Sequence, residues 1–96
     1  MAEYALSQRA DQDLTEIYTF SYVNFGEDQA DAYLTSLDEC FALLAEQPRI
    51  GREIYHVRAG YLRHEHREHS IFYKRQVDGI TIMRVLHKGR DVSRHL

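Results

Sequence analysis

The chain has a single cysteine, a single proline, two lysines against ten arginines, and only one basic residue before position 48. Each shortage excludes something. One thiol, Cys40, cannot form a disulfide framework or a thiolate zinc site. It falls among Leu37, Phe41 and Leu44 at helical spacing, where a buried, inert thiol is expected. No apolar run is long enough to cross a bilayer, and no charged segment followed by a short apolar one opens the chain. A soluble, cytoplasmic protein with no membrane contact is therefore expected. The glycines are scattered singly, which leaves no phosphate-cradling loop, and there is no Ser-His-Asp order or paired-carboxylate arrangement. No cofactor is expected.

What is present is a marked polarity. Residues 1–47 hold one base, Arg9, and ten acids, net −9, whereas residues 48–96 hold eleven bases and five acids, net +6. At 96 residues the chain is expected to form one domain, 1–96, so the polarity lies within one fold. Either an acidic helical layer covers a basic sheet, or the basic half meets an acidic partner. Arginine suits planar, two-pronged contacts with carboxylate or phosphate, which fits an acidic peptide and a nucleic acid equally.

Periodicity divides the chain. Residues 2–6 alternate and read as an edge strand. Ser7 suits an N-cap, with Asp11 and Asp13 in the first turns of the helix beyond it. Ala10, Leu14, Ile17, Tyr18 and Phe25 predict that helix over about 8–24, and Gly26 ends it. Ala30, Tyr33, Leu34, Leu37, Phe41, Leu44 and Ala45 predict a second helix, stopped by Pro48 and packed antiparallel on the first. A short strand is expected around Glu53–Val57. Tyr61–His66, His69–Arg75 and Ile80–Leu86 then alternate as strands joined by turns at Arg67-Glu68 and Asp78-Gly79. The last strand is apolar on both faces, Ile80, Ile82 and Leu86 on one and Met83 and Val85 on the other, and should be interior. Residues 88–96 have no clear period. The fold class is α+β: an N-terminal strand, an antiparallel helical hairpin, then an antiparallel three-stranded meander. Leu14, Ile17, Leu34, Leu37, Phe41, Leu44, Ile71, Ile82 and Val85 are the expected core.

Two clusters could carry chemistry. His64, His66 and His69 converge on one hairpin, but no cysteine or aspartate joins them and Glu65 points to the other face. Solvated or partner-facing histidines are expected there, not a metal site. Arg63, Tyr73, Arg84 and His87 lie on or just beyond adjacent strands and could form the cation and proton-transfer set of a metal-free ribonuclease. Alternatively, Arg84 pairs with an acid from the helical layer.

The run Tyr4-x-Leu6-Ser7-x-x-Ala10-x-x-Asp13-Leu14-x-x-Ile17 resembles the start of the ParE toxins, in the RelE/ParE superfamily of bacterial type II toxin–antitoxin systems. Phe25-Gly26-x-x-Gln29-Ala30-x-x-Tyr33, Leu44-Ala45-x-x-Pro48-x-x-Gly51-Arg52 and Val57-Arg58-Ala59-Gly60-Tyr61-x-Arg63 agree with it. So do His69-x-Ile71-Phe72-Tyr73 and Ile82-x-Arg84-Val85-Leu86-His87, followed by Asp91. The resemblance covers nearly the whole chain. It implies a non-enzymatic toxin that inhibits DNA gyrase, reaches DNA only through gyrase or the antitoxin, and is neutralised by a ParD-like antitoxin whose flexible segment folds onto it. It further implies antitoxin contacts at Tyr61, Arg63, Tyr73 and Arg84, and a gyrase-directed tail of His87, Lys88, Arg90, Asp91 and Arg94. Departing from the family pattern, Lys88-Gly89-Arg90 stands where a small or polar pair and Met more often precede the Asp. The alternatives are a RelE-like metal-independent mRNA endoribonuclease using Arg63, Arg84 and His87 with Tyr73 or Tyr55, or an inactive antitoxin-binding remnant.

Overall fold

Ser7 sets the junction between the first strand and the first helix. In the computed structural model, which describes residues 2–96, its hydroxyl accepts from the Ala10 N–H (3.0 Å) as an N-cap and donates to the Met83 carbonyl (2.8 Å). One side chain thus ends strand β1 (Glu3–Leu6), starts helix α1 (Gln8–Phe25) and ties both to a strand at the other end of the sequence. Gly26 joins α1 to α2 (Glu27–Glu46) with φ 93° and ψ 171°, a region open essentially to glycine alone. A short 3-10 turn (Pro48–Ile50) comes next, then β2 (Arg52–Glu53), β3 (Tyr61–His66), β4 (His69–Gln76), β5 (Gly79–His87) and a last helical turn, α3 (Val92–His95).

The sheet order is β1-β5-β4-β3-β2. β3, β4 and β5 form the expected antiparallel meander; β1 adds to its edge in parallel with β5, and β2 lies antiparallel to β3. The strand expected around Glu53–Val57 is shorter and earlier. The chain turns at Ile54–Arg58, where the N–H groups of Val57 and Arg58 both reach the Ile54 carbonyl, and Gly60 at φ 80° leads it into β3. The β4–β5 turn also differs from expectation. Its two central residues are Val77 and Asp78, because Gln76 pairs with Gly79. Gly79 is needed for another reason: at φ 154°, a Cβ there would run into the backbone of Glu3, so only glycine lets β1 pair so closely.

Both helices pack on one face of the sheet. Leu37, Phe41 and Leu44 of α2 meet Ile71, Tyr73, Ile80, Ile82 and Val85, all buried. α2 supplies most of this core, whereas α1 buries fully only Ala10 and Asp13. Three of the expected core residues are consequently more marginal: Leu14 and Ile17 are half-buried, and Leu34 is exposed. Cys40 is buried as expected, and burial pushes its thiol pKa up. No helix among the described residues is long and apolar enough to cross a membrane.

A β-bulge decides which side chains face the helices. Phe72 pairs with Arg84 but Tyr73 pairs with Ile82, so Met83 is an extra residue in β5 and the alternation slips by one. Ile80, Ile82 and Val85 therefore share the helix face, while Leu86 joins Ile54, Tyr61 and Phe72 in a smaller cluster on the other face, flanked by Met83. The expected grouping had Val85 and Leu86 exchanged. Val92 and Leu96, from the tail without sequence period, cover this second cluster.

Candidate functional site: a groove beside the half-covered edge of the sheet

β1 pairs with β5 only as far as Ile82, so from Met83 onward the outer edge of β5 has no neighbouring strand. Asp13 occupies the start of that edge. Its carboxylate accepts from the Val85 N–H (3.0 Å) and takes two bonds from Arg84, Nε at 2.8 Å and Nη2 at 2.9 Å. Arg84 Nη1 donates to the His95 carbonyl (2.7 Å), so one guanidinium joins α1, β5 and α3. Both side chains are about nine-tenths buried. The hydrogen bonds that Arg84 donates to Asp13 outweigh the cost of burial and hold the Arg84 pKa above its ordinary value. Sequence reasoning placed Asp13 at the start of the helix as a dipole partner. The pattern gives a better signal: Asp13 lies one turn from Ala10, on the apolar side of α1, where a carboxylate needs a cation.

Beyond this pair the edge opens into a groove of about 800 Å³, walled by Ile17, Phe20 and Phe25 of α1 and its exit, Tyr33 of α2, and Val85 and Leu86 of β5. Its rim carries Glu16, Arg67, Glu68, His69, His87 and Arg90. Phe20 (63% exposed) and Phe25 (64%) are large apolar rings left in water. Such a patch with a charged rim is the usual mark of a protein-binding surface.

The three hairpin histidines, expected to be solvated or partner-facing, are all half-buried, and two of them are held by α2. The β3–β4 hairpin tucks beneath α2, where His69 Nδ1 lies 2.6 Å from the Tyr33 hydroxyl and His66 Nε2 lies 3.0 Å from the Ser36 hydroxyl. The Arg67 guanidinium sits 5.8 Å from the centre of the Tyr33 ring, and the His87 ring meets that of His69 edge-on. Among the described residues, no three His, Cys, Asp or Glu side chains are grouped to hold a metal. Burial and the neighbouring His87 lower the His69 pKa from its ordinary 6.5 to about 4, and burial lowers His66 in the same direction. The folded chain therefore binds fewer protons than the unfolded chain between those values. His69's contribution is present above pH 6.5 and is lost as the pH falls towards 4. Urea titrations should show about 1–2 kcal/mol more stability lost over that interval by the native chain than by His69→Gln. Parallel losses in the two proteins would show that His69 stays neutral for some other reason.

The remaining candidates are dispersed. Arg63 lies on the face away from the helices, stacked 5.3 Å from the Phe72 ring centre. Its Nε donates to Glu65 (2.6 Å) and its Nη2 to Ser70 (3.0 Å), and Ser70 in turn donates to Glu65 (2.8 Å). Burial pushes the Glu65 pKa up, but these bonds from Ser70 and Arg63 more than offset it and leave it lowered. Tyr73 points the opposite way, into the helix-side core, where its hydroxyl donates to the Pro48 carbonyl (2.6 Å) and accepts from the Gly51 N–H (2.9 Å). With no exposed surface, Tyr73 cannot be a partner contact; it locks the 3-10 turn onto the sheet. Arg84 is similarly committed to Asp13, and Tyr61 is almost fully buried. Tyr55 is exposed, on the turn before β3. The structure thus does not gather Arg63, Tyr73, Tyr55, Arg84 and His87 around one reacting phosphate. His87, the last residue of β5, and Lys88, Arg90, Asp91 and Arg94 beyond it are all exposed. Within it, Asp91 caps α3 by accepting from the Ser93 N–H (3.1 Å).

Known proteins share this architecture. A family model described as the ParE toxin of the type II toxin–antitoxin system parDE matches residues 4–92. A toxin ParE1 of Mycobacterium tuberculosis is 38% identical over 96 residues, spanning 99% of this chain and 98% of its own. A toxin ParE1 of Caulobacter vibrioides is also 38% identical, spanning 100% and 99% respectively. Among solved structures, a chain of the chromosomal ParDE system of P. aeruginosa shares the fold with a TM-score of 0.75 at 20% identity, over 91% of this chain and 96% of that one.

Proposed function

Because the chain belongs to the ParE toxin family of parDE type II toxin–antitoxin systems, we propose that it is a toxin acting by binding, not catalysis, that it inhibits DNA gyrase, and that a ParD-like antitoxin neutralises it by filling the groove beside β5. The observation that carries the antitoxin site is the row of exposed apolar rings along a groove with a mixed-charge rim. A flexible segment can repay its ordering cost there by burying Phe20 and Phe25. This moves the antitoxin surface away from Tyr61, Arg63, Tyr73 and Arg84. Those residues are buried or already paired, and of them only Arg63 keeps appreciable side-chain exposure.

His87, Lys88, Arg90, Asp91 and Arg94 are the proposed gyrase-directed residues. They close and follow the interior strand β5, stand in solvent and carry a net positive charge. Against ribonuclease action stand the pairing of Arg63 with Glu65, that of Arg84 with Asp13, and the burial of Tyr73.

The test is a supercoiling and DNA-cleavage assay with purified gyrase, the toxin with and without its antitoxin, and an RNA-cleavage control. Trapped broken DNA, relieved by antitoxin, with RNA intact, is the expected result. Cut RNA with gyrase untouched would replace this reading with a ribonuclease, and neither effect would indicate an inactive antitoxin ligand.

A further inference from the structure

The turn between β3 and β4 carries a residue that its backbone does not suit. His66 pairs with His69, so Arg67 and Glu68 alone make the turn, and Arg67 has φ 52°. Among the described residues it is the one other than glycine with positive φ. A two-residue hairpin calls for that left-handed geometry, and glycine or asparagine takes it at least cost, whereas the Cβ of arginine is crowded there. The side chain does little for the fold in exchange. Its guanidinium is exposed, lies 5.8 Å from the centre of the Tyr33 ring and, among the described residues, has no carboxylate within salt-bridge distance. A costly backbone conformation that the fold itself does not need points to a use outside it.

Arg67 stands on the rim of the groove beside β5. The turn that carries it is held on three sides: His69 by the Tyr33 hydroxyl, His66 by the Ser36 hydroxyl, and the Glu68 carbonyl by the Lys88 N–H (3.0 Å). The rim's own free carboxylates do not reach it. Glu16 is on α1, and Glu68 lies 3.9 Å from His87 instead. Resting on the reading that an antitoxin segment fills this groove, we propose that Arg67 is a specificity-determining contact that binds a carboxylate side chain of that segment. The planar guanidinium takes a carboxylate with two N–H donors at once. An apolar neighbour would leave those donors without acceptors in the complex, and a basic one would face a like charge. Phe20 and Phe25 accept any apolar segment, so a charge at the rim is what tells one segment from another. Because the turn is already fixed, little further ordering is needed when the contact forms.

The experiment is calorimetric titration of the full chain with its antitoxin at low and high salt, beside urea denaturation of each variant. Arg67→Gly should weaken binding roughly tenfold at low salt, with a urea midpoint no lower than the native one, since glycine suits the turn. The difference from the native chain should narrow as salt rises. Arg67→Lys should bind more tightly than Arg67→Gly, and Arg67→Glu should lose roughly 100-fold or more. Acidic residues of the antitoxin segment are then changed to lysine one at a time, and one such change should restore binding to Arg67→Glu. Phe20→Asp checks the groove independently. If Phe20→Asp weakens binding while Arg67→Gly and Arg67→Glu bind like the native chain, the groove holds the antitoxin and the Arg67 contact is wrong. If none of the three changes affinity, the antitoxin lies elsewhere and both readings fail. A lowered midpoint for Arg67→Gly would assign the arginine to the fold and overturn the proposal. So would a loss of affinity that is indifferent to salt and restored by no charge reversal.

Discussion

Replacing Asp13 with alanine is expected to cost the fold about 3–5 kcal/mol, a large share of the 5–15 kcal/mol typical of a whole domain. The substitution removes one small side chain, yet three donors lose their acceptor: Arg84 Nε, Arg84 Nη2 and the Val85 N–H. The guanidinium is left charged inside the protein, and its remaining bond to the His95 carbonyl no longer has a fixed anchor on α1. Urea denaturation is the measurement, with a lowered midpoint and an unchanged slope the expected signature. Combining Asp13→Ala with Arg84→Met should recover much of the loss, because an apolar side chain of similar length removes the unpaired charge instead of stranding it. A loss below about 1 kcal/mol for Asp13→Ala would mean that water or another acid serves Arg84 equally well.

Phe20→Asp is expected to separate folding from partner binding. Phe20 is 63% exposed, so its replacement should alter stability by no more than about 0.5 kcal/mol. Yet it stands on the wall of the groove, where a partner segment would bury the ring. An anchor of that kind is typically worth about 2–4 kcal/mol, so antitoxin affinity should fall roughly 30- to 1000-fold. Calorimetric titration with the antitoxin, alongside a thermal melt of the variant, measures both effects. A folded variant that bound antitoxin normally would place the antitoxin elsewhere and leave the groove without an occupant. Gyrase inhibition in the absence of antitoxin should persist, since the proposed gyrase-directed residues His87, Lys88, Arg90, Asp91 and Arg94 are left intact.

Much of this architecture arises from local pattern. Repeats of three and four residues, the N-cap at Ser7 and the stops at Gly26 and Pro48 mark out α1 and α2, and period-two runs mark out β3, β4 and β5. Those signals survive because they depend on neighbours within a turn of helix or a few strand residues. Charge segregation was legible for the same reason, and so was the family, whose motifs are short runs strung along the chain. Residues 88–96 gave no pattern because one helical turn is too short to show a period, and what holds α3 is contact of Val92 and Leu96 with the sheet.

The candidate site is different in kind. Asp13 and Arg84 are 71 residues apart, and nothing in the neighbourhood of either announces the other. The exchange of Val85 and Leu86 between faces rests on one unpaired residue, Met83, which alternation alone cannot reveal. His66 and His69 look like a surface hairpin until α2 is laid over them. The groove exists because β1 stops at Leu6 while β5 runs on to His87, a mismatch between two strands from opposite ends of the sequence. By itself the sequence determined β1, the two long helices, the three meander strands and the family to which they belong. Register, the bulge and the unequal lengths of paired strands decided which side chains are spent inside and which are left for a partner, because those depend on meetings between distant residues that only the folded chain brings about.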